Sequence, residues 1–230
     1  MALLWLAADS VAVRGQVSGD PQRSLTQAEK EAGWRLLFDG RNSDKWRGFG
    51  QPAFPTNEWN VENGCLHLMP HVGGRDLVSV EKFNNFEFAW EWRIAFGGNS
   101  GLKYLINEEH GPIGPEYQVI DDLHEEDGTR GPKYVTGSVY DVVGATNVTV
   151  KPLSEFNQSR LLVQGKHVEH WLNGKMVLAY ELESEALKAA IATSKFKGKD
   201  FYGVKVPGRI LLQNHGAEVW FRNLKIRELP

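Results

Sequence analysis

The 230-residue chain has one cysteine, Cys65, so no internal disulfide framework holds it together. Leu66 and Leu68 beside it point to a packed strand thiol rather than a catalytic one. There is no basic block either. Lys and Arg number 26 against 29 Asp and Glu, a formal net charge of −3, which makes nucleic acid a poor partner. The apolar run at residues 2–8 is far too short to cross a bilayer, so no membrane span is expected. That run also lacks a preceding basic segment and is shorter than a usual signal-peptide core. Residues 1–30 therefore read as leader or linker, either a clipped signal peptide or an irregular leader, and export to the periplasm or beyond is the expectation. Residues 31–230 read as one domain. No internal repeat and no parallel βαβ rhythm is present.

What the chain does have is apolar content of 41%, enough for a sizeable core, and eight tryptophans. Some of these must be core, but tryptophan and tyrosine in a cleft also stack on sugar rings. Residues 86–96 alternate: Phe86, Phe88, Trp90, Trp92, Ile94 and Phe96 share one face, and Glu87, Glu91 and Arg93 share the other. This is the pattern of a long half-buried antiparallel strand. Asn63-Gly64 and Asn173-Gly174 fit two-residue hairpin turns, whose central positions both need positive φ. Gln164-Gly165 marks a third turn. Further strands are expected at 101–106, 136–143, 209–213 and 218–227. One Ala-rich helix is expected at 184–193, with Ser184 as its cap. Many strands, short turns and one minor helix predict an all-β, two-sheet antiparallel jelly-roll sandwich.

The most informative segment is 114–122, Gly-Pro-Glu-Tyr-Gln-Val-Ile-Asp-Asp. Strand alternation puts Glu116, Gln118 and Ile120 on one side and Tyr117, Val119 and Asp121 on the other. A retaining glycosidase needs two carboxylates about 5 Å apart. The alternate partners of Glu116 are an amide and an isoleucine, so this strand alone does not supply that pair. Gly97-Gly98-Asn99-Ser100-Gly101 precedes a strand, not a helix, and so offers no phosphate-binding helix N-terminus. Lys103 shares its face with Gly101 and Leu105, which can set its ammonium beside Glu116.

His167 and His170 stand three apart in a strand and fall on opposite faces, so they cannot share a metal unaided. His170 shares its face with Val168 and Leu172; it reads as a satisfied core histidine or as an acid or base in a sugar pocket. Asp121, Asp122 and His124 form the best local metal candidate, against the simpler reading of a solvated acidic loop. No cofactor is assigned, and a divalent metal stays open. Gln213, Asn214 and His215 end a strand with three polar groups, where binding residues gather on β scaffolds. The lysine-rich stretch 194–199 reads as a solvated face.

Together these segments resemble the 3-keto-disaccharide hydrolase-like family over about residues 33–229. The resemblance rests on the entrance segment 33–40, on 98–104, on 116–122, on Thr136-Gly137-Ser138-Val139-Tyr140-Asp141, on 167–174, on 210–216 and on the ending 219–226. It implies a concanavalin-like sandwich and action on glycosides whose C3 hydroxyl a separate oxidoreductase has oxidised to a ketone. Such a ketone acidifies the C2 proton, so cleavage needs one base, an enolate stabiliser and a proton donor. Chemistry and position, not the resemblance, then assign roles. Glu116 or His170 is the base, with the other as acid or orienter, and Lys103 stabilises the enolate. Gln118, Asp122, Tyr140, Gln213 and His215 hold sugar hydroxyls. A non-catalytic carbohydrate-binding module and an ordinary glycoside hydrolase are the alternatives.

Overall fold

Phe86–Ile94 (β6) lies at the middle of the molecule. Phe86, Phe88, Trp90, Trp92 and Ile94 are all buried, as their alternation predicts, in a computed structural model that describes residues 24–70 and 73–230. Burying each such side chain stabilises the fold by about 1.5–3 kcal/mol. Phe96 departs from the pattern. The strand ends at Ile94, and Phe96 sits 71% exposed in the turn, with its ring centroid 4.3 Å from that of His124.

Two antiparallel sheets face each other. In the larger, β6 lies between β9 (Asn157–Gln164) and β13 (Val219–Glu228). Beyond β9 come β10 (His167–Leu172) and β11 (Lys175–Glu181); beyond β13 come β4 (Cys65–Leu68) and β3 (Trp59–Glu62), and β1 (Arg35–Leu36) also pairs with β13. The smaller sheet runs β2 (Trp46–Gly48), β5 (Leu77–Ser79), β12 (Arg209–Leu212), β7 (Asn99–Ile106), β8 (Glu116–Ile120). The all-β sandwich expected from the sequence is the observed architecture. Both Asn-Gly pairs form hairpins with positive φ at both residues, 48° and 76° at Asn63-Gly64 and 48° and 80° at Asn173-Gly174. This matches the right-handed twist of the strands they join.

The helix expected at 184–193 is α2 (Glu185–Ile191), capped by the Ser184 hydroxyl, which accepts from Leu187 N. A second short helix, α1 (Gln27–Glu31), forms in what the sequence reads as linker. Thr26 and Glu29 close a capping box there, and Glu29 pairs with Lys225 of β13. The rest of the leader, residues 1–23, with the apolar run and the export reading built on it, lies outside the described residues. Residues 136–143 are not a strand. They form turns with isolated bridges, Tyr117 to Val139 and Val139 to Val143, and they cover the outer edge of β8. Gln118 donates to Ser138 O, and Gly137 and Tyr140 donate to the carbonyls of Gln118 and Glu116.

Among the described tryptophans, Trp46, Trp59, Trp90 and Trp92 are core. Trp171 and Trp220 lie on the outward face of the larger sheet under Arg160 and Arg93, and Trp34 lies beside Lys225 and Arg227.

Candidate active site

The smaller sheet has two unlike faces. Leu102, Tyr104, Tyr117, Leu212 and Leu77 point inward into the main core, so Lys103, Glu116, Gln118, Leu211 and Val78 point outward. Register aligns the outward residues in rows. Val78 is opposite Leu211, Leu211 opposite Lys103, and Lys103 opposite Glu116. One step along the strands, Gly101 is opposite Gln118 and receives the Gln213 N–H on its carbonyl at 2.9 Å. Asp76, two residues before Val78, closes this second row. Glycine therefore stands where every neighbour carries a polar side chain. The Glu116 side chain folds into the gap; a β-carbon built on Gly101 would overlap its Oε1, Cδ and Cγ atoms.

The result is a small polar pit. Glu116 is 4% exposed, and its Oε2 lies 3.9 Å from the Lys103 ammonium, which also donates to Pro112 O at 3.3 Å. Gln118 is fully buried and donates to Asn99 Oδ1 at 3.4 Å, while its Oε1 meets no partner. Gln213 Oε1 is likewise buried and unpartnered. Orphaned acceptors of this kind cost free energy in the empty protein and mark where a ligand or water hydroxyl belongs. Burial lifts the Glu116 carboxyl above the usual carboxylate range; Lys103, then Lys195, oppose the rise and Asp76 adds to it. Asp76 is lifted by burial too, against the Asn214 N–H that its Oδ1 accepts at 2.7 Å and against Lys103 and His215.

Tyr140 borders Glu116 through its backbone and donates its hydroxyl to Asp127 Oδ2 at 2.5 Å. Burial and that bond push the phenol pKa well up. Lys195 Nζ rests 3.9 Å from the Tyr140 ring centroid, and its backbone N–H is fixed by Asp141 Oδ2 at 2.6 Å. Solvent still reaches Lys195, yet the surrounding protein lowers its pKa, with Glu116 opposing. His215 is exposed at the rim, and its charge acts on both Glu116 and Asp76.

Glu116, Lys103, Gln118, Gln213, Tyr140 and His215 thus share one region, but His170 does not join them. It points inward from β10 of the opposite sheet and is fully buried. Its Nε2 bonds Tyr104 OH and its Nδ1 bonds Gly137 O, each at 2.8 Å. Tyr104 and Tyr117, which pack around it, are the inward neighbours of Lys103 and Glu116 in sequence, so the thickness of the sheet separates His170 from the pit. Burial lowers its pKa to about 4, so it is a neutral, satisfied core histidine. This corrects its assignment as base or acid.

Asp122 also has other work. Its Oδ1 accepts Thr136 N–H at 2.7 Å and closes the loop beyond β8, and burial raises its pKa. Asp121 accepts Gly97 N–H at 2.9 Å and bonds His124 Nδ1. Burial works against its ionisation, but these bonds prevail and its pKa is lowered. Among the described residues no group of three His, Cys, Asp or Glu is arranged to hold a metal ion.

Asp76 and Lys195 are the two residues that sequence reasoning passed over. Asp76 alternates with Val78 and was findable from the strand pattern. Lys195 sits among Lys197 and Lys199, and only the fold of the loop after α2 singles it out.

A buried acid–lysine pair with amide acceptors unmet among the described residues, on the outward face of a β-sandwich, makes this pit the candidate active site. The chain belongs to the 3-keto-α-glucoside-1,2-lyase-like domain family, whose model matches residues 33–227. It is 31% identical to a protein of Bacteroides thetaiotaomicron named 3-keto-disaccharide hydrolase, over 93% of this chain and 87% of that one. A crystal structure of a candidate glycosyl hydrolase from Parabacteroides distasonis superposes with a TM-score of 0.81 at 33% identity, covering 90% of this chain and 99% of that one. A second candidate glycosyl hydrolase from that organism gives 0.66 at 25% identity, over 85% and 99% of the two chains.

Proposed function

We propose that this protein cleaves 3-keto-glycosides by removing the C2 proton and eliminating the substituent at C1. Glu116 carries the reading. It is a buried carboxylate resting over a glycine, 3.9 Å from a lysine, with no second carboxylate at the alternate positions of its own strand. A ketone at C3 makes the C2 proton removable by a single base, and the lifted pKa of Glu116 makes it a stronger one. Lys103 is a fixed cation for the enolate oxygen that develops. The amide oxygens of Gln118 and Gln213 accept from sugar hydroxyls, with Tyr140 and His215 at the border. Water adding to C1 of the unsaturated product, with return of a proton to C2, makes the net reaction a hydrolysis.

Family membership and the name of the Bacteroides relative support this substrate class. The C3 ketone is supplied by a separate sugar 3-oxidoreductase acting first. The experiment is to incubate the purified protein with a glycoside and with its 3-keto derivative and follow aglycone release. Release from the keto form alone is expected. Equal release from the unoxidised glycoside would replace this reading with direct displacement at C1, which Asp76, as a second, half-buried carboxylate on the same face, makes the alternative to test. Keto-glycoside binding without turnover would favour a binding module.

A further inference from the structure

Elimination leaves an oxygen at C1 that needs a proton, and the residue first expected to give it, His170, is on the wrong side of the sheet. Tyr140 already donates its hydroxyl to Asp127. Lys195 stands on the same side as Glu116, against Tyr140 and beyond the β8 edge. A base for C2–H and an acid for the oxygen on C1 serve adjacent ring carbons, so a donor across the pit from Glu116 can reach the departing oxygen while Glu116 reaches C2.

We propose that Asp76 is the proton donor to the leaving oxygen, standing across the Gly101 pit from Glu116. The proposal rests on the elimination reading above. Asp76 extends the row Gln213, Gly101, Gln118 at its β5 end, and Glu116 lies on β8 two residues before Gln118, in the adjacent row opposite Lys103. With about 4.8 Å per strand step and about 3.4 Å per residue, three steps across and two residues along place roughly 16 Å between the two backbones. The Glu116 side chain folds into the gap that glycine leaves open, and a single sugar ring fits between it and Asp76. Lys103 lies between the two acids and acts on both, so it can face the C3 oxygen while they serve C2 and C1. The Asn214 N–H pins Asp76 Oδ1, which leaves Oδ2 as the atom to carry a proton. The Lys103 ammonium beside Glu116 favours its ionised form as base, while burial favours the protonated Asp76 carboxyl, as an acid catalyst requires.

The steps balance. The Glu116 carboxylate takes the C2 proton, and the C–H electron pair passes through the enolate to form the C1=C2 double bond as the C3 ketone re-forms. The C1–O bond breaks with its electron pair on the departing oxygen, which receives the Asp76 proton. Water then attacks C1, giving its proton to Asp76, and Glu116 returns its proton to C2. Both carboxyls end as they began.

The test is Asp76→Asn on a series of 3-keto-glycosides whose leaving groups run from nitrophenol to a simple alkyl alcohol. Asn keeps an acceptor for the Asn214 N–H, and thermal unfolding checks the fold. For the alkyl alcohol, which needs a proton, kcat should fall about 10²–10⁴-fold. For nitrophenol, which leaves unaided, it should stay within about threefold. Asp76→Glu, which keeps a proton to give, should retain part of the alkyl-glycoside turnover that Asp76→Asn loses. Equal loss across the series, or no loss, overturns the role of Asp76 while leaving elimination intact. Absence of turnover by the wild-type protein on every member would instead remove the elimination reading itself. Should both variants fail to fold, the wild-type series decides, since a steep dependence of rate on leaving-group acidity contradicts any acid at this position.

Discussion

The outward faces of the two sheets make an instructive pair. On the larger sheet, a cavity of about 540 Å³ lies between α1 and the strands, floored by Ala89 and lined by Glu91, Arg160, Trp171, Arg222 and Lys225. Every acid there has a basic partner. Glu87 is 2% exposed and clamped by both Arg160 and Arg227, Arg222 bonds Glu91 at 2.8 Å, and Glu29 pairs with Lys225. On the smaller sheet Glu116 has Lys103 at 3.9 Å, and two glutamine oxygens meet no partner among the described residues. The larger sheet's cavity is lined by charges that are already satisfied. The proposed chemistry is assigned to the face where they are not, because an unmet buried group stabilises a bound ligand more than it stabilises the fold.

The largest expected effects should come from the smaller sheet. Glu116→Gln should lower kcat on a 3-keto-glycoside about 10²–10⁴-fold, as loss of a general base does, whereas Glu91→Gln on the other face should leave it unchanged. Steady-state kinetics on both variants checks the contrast. Lys103→Met should cost about 10²–10³-fold by deleting the cation at the developing enolate. Gly101→Ala keeps every functional group, yet its methyl occupies the space of the Glu116 carboxyl. A displaced base should reduce kcat about 10²-fold, with circular dichroism unaltered.

Stability should divide the faces in the opposite sense. Glu87→Gln loosens two arginines and should destabilise by about 1–3 kcal/mol, measured by urea unfolding. Glu116→Gln should raise stability at pH 7, because burial penalises its charge; that gain should vanish as the pH falls and the wild-type carboxyl takes up its proton. His170 supplies a third contrast, between site and core. Its folded pKa of about 4 lies below the unfolded value of 6.5, so its contribution is present above pH 6.5 and lost as the pH falls toward 4. That is worth about 3 kcal/mol. Unfolding of wild type and His170→Gln at pH 7 and pH 4 should show the extra loss only in wild type.

Local patterning was enough for much of the fold. Alternation from Phe86 to Ile94, the two Asn-Gly turns and the Ser184 cap are short-range signals, and each appears where expected. Phe96 was misplaced because periodicity does not say where pairing stops, and Gly97 and Gly98 stop it. Residues 136–143 carry strand-like chemistry, but positive φ at Gly137 and Asp141 turns them into an edge cover. At the site, the shared face of Glu116 and Gln118 followed from strand period alone, and Lys103 follows from the register of one hairpin. His170 was legible as sharing a face with Val168 and Leu172; that this face is the core depends on which sheet β10 joins, a long-range fact. Lys195 depends on a loop crossing a strand edge, which no local pattern encodes.

The central claim is that Glu116, on the outward face of the smaller sheet, removes a proton from C2. The most direct measurement follows a 3-keto-glycoside deuterated at C2 through an early time course, against the exchange of substrate alone. The account predicts a primary isotope effect on aglycone release and loss of the label to solvent in wild type, with both release and enzyme-dependent label loss absent in Glu116→Gln. Aglycone release with the label retained at C2 and no isotope effect would contradict it.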